Sequence, residues 1–301
     1  MTRRPTPSVS VNARSATDRA DVALAPAVVA ALRCSLCGDG FAVTGRSLRC
    51  AAGHSFDIAK QGYVNLLHAK VLSGTADTAE MVAARAAFLG AGHYGPLAEA
   101  VARNAATAAG DQGLVVDAGA GTGYFLAAVL SALPMATGFA MDLSVYALRR
   151  AAKAHPRVAA AVWNIWQPLP LASESASLVL NVFAPRNGAE FRRILRSDGA
   201  LIVVTPTREH LAELARVTDL LDVDPHKERR VAQTLAAHFS LATQEVCTFR
   251  LSLSAAEVRT LIGMGPNAHH LSPDDLSGIA EPVEVTASCT VAVYRPKATM
   301  R

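Results

Sequence analysis

The hydrophobic and polar positions divide the chain into stretches of different character. Residues 1–25 are polar, proline-containing and arginine-rich, without periodicity, and read as a disordered extension. Residues 26–70 carry a crowded set of cysteines among glycines, and read as a small metal-binding domain. Two helical runs follow, TAEMVAARAAFL at 78–89 and PLAEAVARNAATAA at 96–109, joined by the loop GAGHYG at 90–95; they form a helical linker over 71–110. Over 111–301 the pattern alternates. A strand at 114–116 leads into a glycine-rich turn and a helix from about residue 123, and further strands are predicted over 137–144, 158–164, 177–184 and 200–206. Helices are predicted between them at 145–154 and 189–196. Such alternation predicts an α/β fold: a Rossmann-like, doubly wound and mostly parallel sheet with its ligand at the carboxyl ends of the strands.

Composition narrows the class. A chain of 301 residues that is 51% hydrophobic can bury a sizeable core. Its longest apolar runs, at 23–32 and 177–185, reach about half of the roughly 20 residues of a spanning helix and are interrupted or closed by proline, so no membrane association is expected. Arg3 and Arg4 are followed by polar sequence rather than by the apolar run of a secretory signal, which points to a cytoplasmic protein. The net charge of +4 is unevenly spread: residues 1–70 carry +5 and the remainder −1. A basic N-terminal quarter suits a polyanion such as nucleic acid, although a solvated basic tail would give the same count.

Three of the five cysteines lie within 17 positions, which favours a metal over disulfides. The segment reads Cys34-x2-Cys37-x12-Cys50-x3-His54. Two knuckles can bring three thiolates and an imidazole around a tetrahedral Zn²⁺. With all four positions filled the metal is structural, and its binding energy folds a segment too small for its own core.

The glycine-rich turn indicates the cofactor. A dinucleotide fingerprint needs Gly-x-Gly-x-x-Gly, whereas here Gly119, Gly121 and Gly123 alternate with Ala120 and Thr122, and Tyr124 stands at the third fingerprint position. Asp117 precedes the first glycine by two residues, and Asp142, 25 residues further on, closes the next strand. The Asp-x-Gly-x-Gly-x-Gly motif resembles the first motif of class I S-adenosylmethionine-dependent methyltransferases. In that reading Asp142 accepts the ribose hydroxyls, and Asn164 and Ile165, after the third strand, fall where the adenine is contacted.

The zinc motif, FDIAKQGYVNLL at 56–67, AEMVAARAAFLGAGHYGPL at 79–97 and the methyltransferase motif, taken together, resemble the bacterial 23S rRNA guanine-N1-methyltransferases from about residue 32 onward. The resemblance implies S-adenosylmethionine and structural zinc, a zinc domain that helps to grip RNA, and a homodimer whose cleft holds a hairpin of domain II. It implies zinc ligation by Cys34, Cys37, Cys50 and His54, and cofactor contacts at Tyr94, Gly123, Tyr124 and His210. LIGMGPNAHHL at 261–271 replaces an aromatic pair of the Gram-negative enzymes by Asn267 and His269, and so looks more like the Gram-positive branch. That branch includes self-protection enzymes of macrolide producers, which implies resistance to tylosin-type macrolides; housekeeping modification would leave the same sequence.

N1 of guanine carries a proton at neutral pH, so attack on a methyl group needs a base or a site that stabilises the anionic ring. The run NVFAPRN at 181–187 follows the fourth strand, where amino-directed methyltransferases place a substrate-facing loop. Asn181 is a candidate for the base edge, Pro185 for shaping the turn, and Arg186 for an O6-centred charge or a phosphate. His226, Asp224 and Glu190 follow the relevant strands, and none is singled out as the base. Arg33, Arg46, Arg49 and Lys60 are the candidate phosphate contacts of the zinc segment. A small-molecule methyltransferase or a non-enzymatic zinc-dependent RNA-binding protein would each share part of this pattern.

Overall fold

The computed structural model describes residues 24–67, 76–215, 234–265 and 282–298. Among them, an eight-stranded sheet carries the fold and a three-stranded antiparallel sheet carries the cysteines. In chain order, helix α1 (Pro26–Ala31) leads into the small sheet of β1 (Phe41–Thr44), β2 (Ser47–Cys50) and β3 (Ser55–Asp57), followed by β4 (Tyr63–Asn65). Helices α2 (Ala79–Gly90) and α3 (Gly95–Ala109) come next, then β5 (Gln112–Ala118), α4 (Tyr124–Ala132), β6 (Met135–Asp142), α5 (Val145–Ala154) and β7 (Val158–Val162). Strand β8 (Ala176–Val182), α6 (Gly188–Ile194), β9 (Leu195–Pro206) and α7 (Ala212–Ala215) precede the hairpin of β10 (Phe239–Leu253) and β11 (Val283–Pro296), between which lies α8 (Ala255–Gly263).

The large sheet runs β10-β11-β9-β8-β5-β6-β7-β4. Strands β4 to β9 within it pair in parallel, while β11 is antiparallel to both β9 and β10. Chain order reverses at β5, whose neighbours are β6 on one side and β8 on the other, and the carboxyl ends of β5 and β8 therefore open a crevice. Strand β8 is buried at every position, as a central strand covered on both faces must be.

Alternate residues of the strands enter two apolar clusters, one on each face. The first gathers Phe88, Leu97, Val101, Leu126, Leu148, Leu261 and Ile262 from α2, α3, α4, α5 and α8 over Val115, Leu178 and Leu180. The second sets Val28, Leu48, Ile58, Val64 and Leu66 from the N-terminal segment together with Phe191 and Ile194 over Leu114, Val116, Phe139 and Val179. The cysteine-bearing segment thus shares its core with the large sheet. It is also stitched there by backbone: β4 pairs with β7 from Tyr63↔Ala160 to Asn65↔Val162, and the Arg33 N–H donates to the Pro170 carbonyl at 2.9 Å. Helices α5 and α6 lie where the sequence placed helices, although α6 stops at Ile194 and Arg196 belongs to β9.

Candidate functional site: a zinc ribbon and a cofactor crevice

Cys34 and Cys37 lie in the turn after α1, Cys50 closes β2, and His54 immediately precedes β3. The turns are closed by Gly38 N–H donating to the Cys34 carbonyl at 2.8 Å and Gly53 N–H donating to that of Cys50 at 3.0 Å. Their ligand atoms lie within 4.8 Å of one another. Cys37 Sγ is 3.6 Å from Cys50 Sγ, and His54 Nδ1 is 3.6 Å from Cys34 Sγ and 3.3 Å from Cys50 Sγ. Bonds of about 2.3 Å to sulfur span a tetrahedron with edges of roughly 3.8 Å. Three thiolates and one imidazole at these separations fit structural Zn²⁺, bound through Nδ1 of His54, with no position left for water.

A cavity of about 580 Å³ opens at the crevice between β5 and β8. Asp117, Gly119, Gly121, Thr122 and Tyr124 line one wall, Asp142, Asn164 and Ile165 a second, and Tyr94 and His210 a third. Residues far apart in sequence meet here because the parallel strands all end on this side. The Gly119 N–H donates to the Met141 carbonyl at 2.8 Å, which folds the turn back over β6. Gly119 has φ +85°, and a Cβ there would meet the Ala184 Cβ at 2.4 Å; only glycine lets the turn pass this close to the loop after β8. Gly123, also at positive φ, is pressed against Ala151 of α5 and does not line the cavity.

Asp117 is 2% exposed, and its Oδ1 has no hydrogen-bond partner. Burial, with Asp142 nearby, pushes its carboxyl up to about 8. An unpartnered buried carboxylate oxygen in a cavity is a site for a cationic N–H donor. Asp142 receives the Gly121 N–H on Oδ2 at 2.8 Å and the Ser144 N–H on Oδ1 at 2.9 Å. Each oxygen keeps a further lone pair for a hydroxyl donor. Burial raises its pKa too.

Tyr94 is buried, and its hydroxyl lies 3.2 Å from His210 Nε2. His210 Nδ1 accepts the Ser288 backbone N–H at 3.1 Å, which fixes the imidazole as the neutral Nε2–H tautomer. His210 therefore donates to Tyr94, and the tyrosyl proton is available to an acceptor in the cavity. Burial drives the Tyr94 hydroxyl far above the ordinary tyrosine range, so it stays protonated.

The loop after β8 differs from its sequence reading. Asn181 is fully buried, donates from Nδ2 to the Ala118 carbonyl at 3.0 Å and the Pro185 carbonyl at 2.8 Å, and does not line the cavity. Its two amide hydrogens tie β5 to the loop, while its Oδ1 is buried without a partner. Arg186 lies outside the cavity wall; its Nε and Nη2 are buried without partners, and burial lowers its pKa. Glu190 is held by Arg193 at 2.7 Å and accepts the Leu169 N–H at 2.6 Å, and it does not line the cavity. His226, Asp224, Asn267 and His269 lie outside the described residues.

Other wall residues carry no signal in the sequence. Arg85 pairs with Asp77, donates to the Met264 carbonyl at 2.8 Å and lies against Gly121. Phe183 has φ +54° and is 41% exposed; its ring is stacked near His210 at 6.2 Å between centroids. Trp166, 64% exposed, stands on the same rim.

Of the four cations of the zinc segment, Arg33 donates to the carbonyls of Ala30 and Leu32 at 3.0 and 2.7 Å, and Arg46 to those of Ile58 and Ala59 at 3.4 and 3.2 Å. Arg49 and Lys60 are exposed.

A doubly wound sheet with an acidic glycine turn at its switch point and a second acid closing the next strand, preceded by a Cys₃His ribbon, defines a zinc-containing class I S-adenosylmethionine-dependent methyltransferase. The zinc-ribbon family "RlmA, N-terminal" matches residues 32–71. A 23S rRNA (guanine(748)-N(1))-methyltransferase of Streptomyces fradiae is 49% identical over 275 residues, covering 89% of this chain and 98% of the relative. A Micromonospora griseorubida protein provisionally named as a 23S rRNA (guanine-N(1)-)-methyltransferase is 53% identical over 293 residues, 90% of this chain and 99% of its own. The chain belongs to the family of 23S rRNA (guanine-N1)-methyltransferases. Among solved structures, a methyltransferase in complex with the Haloferax volcanii Trm112 activator is 17% identical, covers 75% of this chain and 100% of its own, and superposes with a TM-score of 0.48.

Proposed function

We propose that this protein transfers a methyl group from S-adenosylmethionine to N1 of a guanine in a domain II hairpin of 23S rRNA, acting in the cytoplasm as a homodimer. We propose further that the modification protects the ribosome against tylosin-type macrolides. The observation that carries the reaction class is the unpartnered Asp117 oxygen in the glycine-lined cavity. Near-complete coverage of the two actinobacterial relatives supports the substrate. Among the described residues no helix is long and apolar enough to cross a membrane.

S-adenosylmethionine, when bound, supplies a methyl group on a sulfonium. Asp117 would hold its ammonium, Asp142 its ribose hydroxyls, and Asn164 with Ile165 its adenine. The Tyr94 hydroxyl would donate to an acceptor on the amino-acid side. The chain's contribution to the transfer is to align the base with the methyl group in this cavity. N1 lies on the pairing edge of guanine, so the base must be unpaired or flipped to enter, and the rim aromatics Phe183 and Trp166 are suited to stack on it.

The test is incubation with radiolabelled S-adenosylmethionine and unmodified large-subunit rRNA, followed by nucleoside mass spectrometry and primer extension. Label recovered as 1-methylguanosine at one hairpin guanine is the expected result. Label confined to a metabolite extract free of RNA would overturn the proposal in favour of a small-molecule enzyme. Expression in a tylosin-sensitive host tests the resistance role, with unchanged sensitivity counting against it.

A further inference from the structure

Helix α5 buries Ala147, Leu148 and Ala151 against the sheet and turns the opposite face to solvent. On that face Tyr146, Arg149, Arg150 and Lys153 follow the spacing i, i+3, i+4, i+7, so they form one stripe about 10 Å long. All four are exposed, and the Arg149 guanidinium lies over the Tyr146 ring at 5.7 Å. The helix contains no acidic residue. None of the ion pairs among the described residues involves the three cations. Arg157, just beyond the helix, differs: its guanidinium donates to the carbonyls of Leu130, Leu133 and Ala136 and is part of the scaffold.

The stripe begins at the site. Asp142 and Leu143 line the cavity, and Ser144 caps α5 by accepting the Ala147 N–H and is tied to the Asp77 carbonyl at 2.8 Å. Tyr146 therefore lies within one turn of the cavity mouth. Uncompensated cations with an interleaved aromatic, leading away from a pocket that takes a single base, match a polyanionic strand better than a solvated helix face stabilised by alternating charges.

Resting on the rRNA reading above, we infer that Tyr146, Arg149, Arg150 and Lys153 form a docking surface for the RNA backbone flanking the target guanine. It is separate from the zinc ribbon, where two of the four cations hold backbone carbonyls. Each phosphate contact contributes about 0.7 to 0.9 to the slope of log affinity against log salt.

The experiment measures binding of a 23S rRNA transcript to the full-length protein as a function of salt, for wild type, the triple variant R149Q/R150Q/K153Q and the charge-conserving R149K/R150K/K153R. Affinity for S-adenosylhomocysteine and zinc content are measured alongside. The stripe predicts a slope reduced by about 2 to 3 in the glutamine variant. Cofactor affinity and zinc content should be unchanged, and the charge-conserving variant should retain the wild-type slope. Wild-type RNA binding with the same slope in the glutamine variant overturns the stripe alone. Absence of salt-dependent RNA binding by the wild type overturns the rRNA reading with it. Should the glutamine variant lose cofactor affinity through misfolding, the single variant R150Q decides: an unchanged slope there overturns the inference.

Discussion

Tyr94 and His210, 116 residues apart in the chain, meet at 3.2 Å across the cofactor cavity, and the backbone of Ser288 dictates which of them donates. Tyr94→Phe removes the one hydroxyl whose proton this arrangement directs towards a ligand. Isothermal titration should show S-adenosylhomocysteine binding weakened about three- to tenfold, with melting temperature nearly unchanged. His210→Ala leaves the buried Ser288 N–H without its acceptor, and should cost about 1–3 kcal/mol of stability in addition.

Asp117 gives the cofactor site a pH dependence. With its carboxyl near 8 in the unliganded protein, Asp117 is protonated below that value and must lose a proton to receive an ammonium. Cofactor affinity should therefore fall as pH is lowered from 8 towards 6, by up to about tenfold per unit. Asp117→Asn should bind weakly and lose the dependence. For folding the sign is opposite. A raised folded-state pKa stabilises most below the unfolded value and loses that contribution as pH rises towards 8, so the unliganded protein should melt lower at pH 8 than at pH 6. A flat affinity profile for the wild type would refute the assignment.

Gly119→Ala drives a methyl group into Ala184 and also meets positive φ, and should lower cofactor affinity at least about tenfold. Because the clash has one identifiable partner, Ala184→Gly on the same chain should recover part of the loss. Titration calorimetry on the single and double variants separates the steric component from the backbone component.

Phe183 separates stability from function. A non-glycine residue in the left-handed region costs about 1–2 kcal/mol, so Phe183→Gly should not lower the melting temperature through the backbone. The same variant removes a rim ring worth about 1–3 kcal/mol if it stacks on a base. Methylation of rRNA should fall about 5- to 150-fold in kcat/KM, with cofactor affinity within twofold. Retained activity would show that the strain serves the loop and not the base.

Removal of zinc by a strong chelator should weaken rRNA binding and lower the melting temperature, since Leu48 and Ile58 of the ribbon belong to the core shared with Val116 and Phe139. Cofactor titration of the stripped protein should change little, because no zinc ligand lines the cavity.

The residues that sequence exposes best are those whose chemistry is local. The Cys₃His spacing and the acid-glycine turn are short motifs with fixed backbone requirements, and the strand-helix alternation from 114 to 206 follows from burial on both faces. Other features depend on distant partners. Strands β4 and β10 leave little trace in the sequence: β4 is three residues long, and β10 is exposed over most of its length, so neither presents an apolar run. Asn181 looked available for a base edge because nothing in the sequence shows that its two amide hydrogens go to Ala118 and Pro185. Arg85 and Phe183 are ordinary letters until α2 and the loop after β8 bring them to the same wall.

Strand β4 has a consequence for the order in which the chain assembles. Its partner β7 spans Val158–Val162, so Val64 and Leu66 must await almost a hundred residues of further synthesis before they can dock. The metal can fold the preceding knuckles at once, leaving a short unpaired strand displayed from a preformed handle. When it lands, it covers a sheet margin that would otherwise offer unpaired amides and carbonyls to another molecule. Cutting the N-terminal segment away should therefore bare the edge of β7 and yield a remnant prone to associate through it.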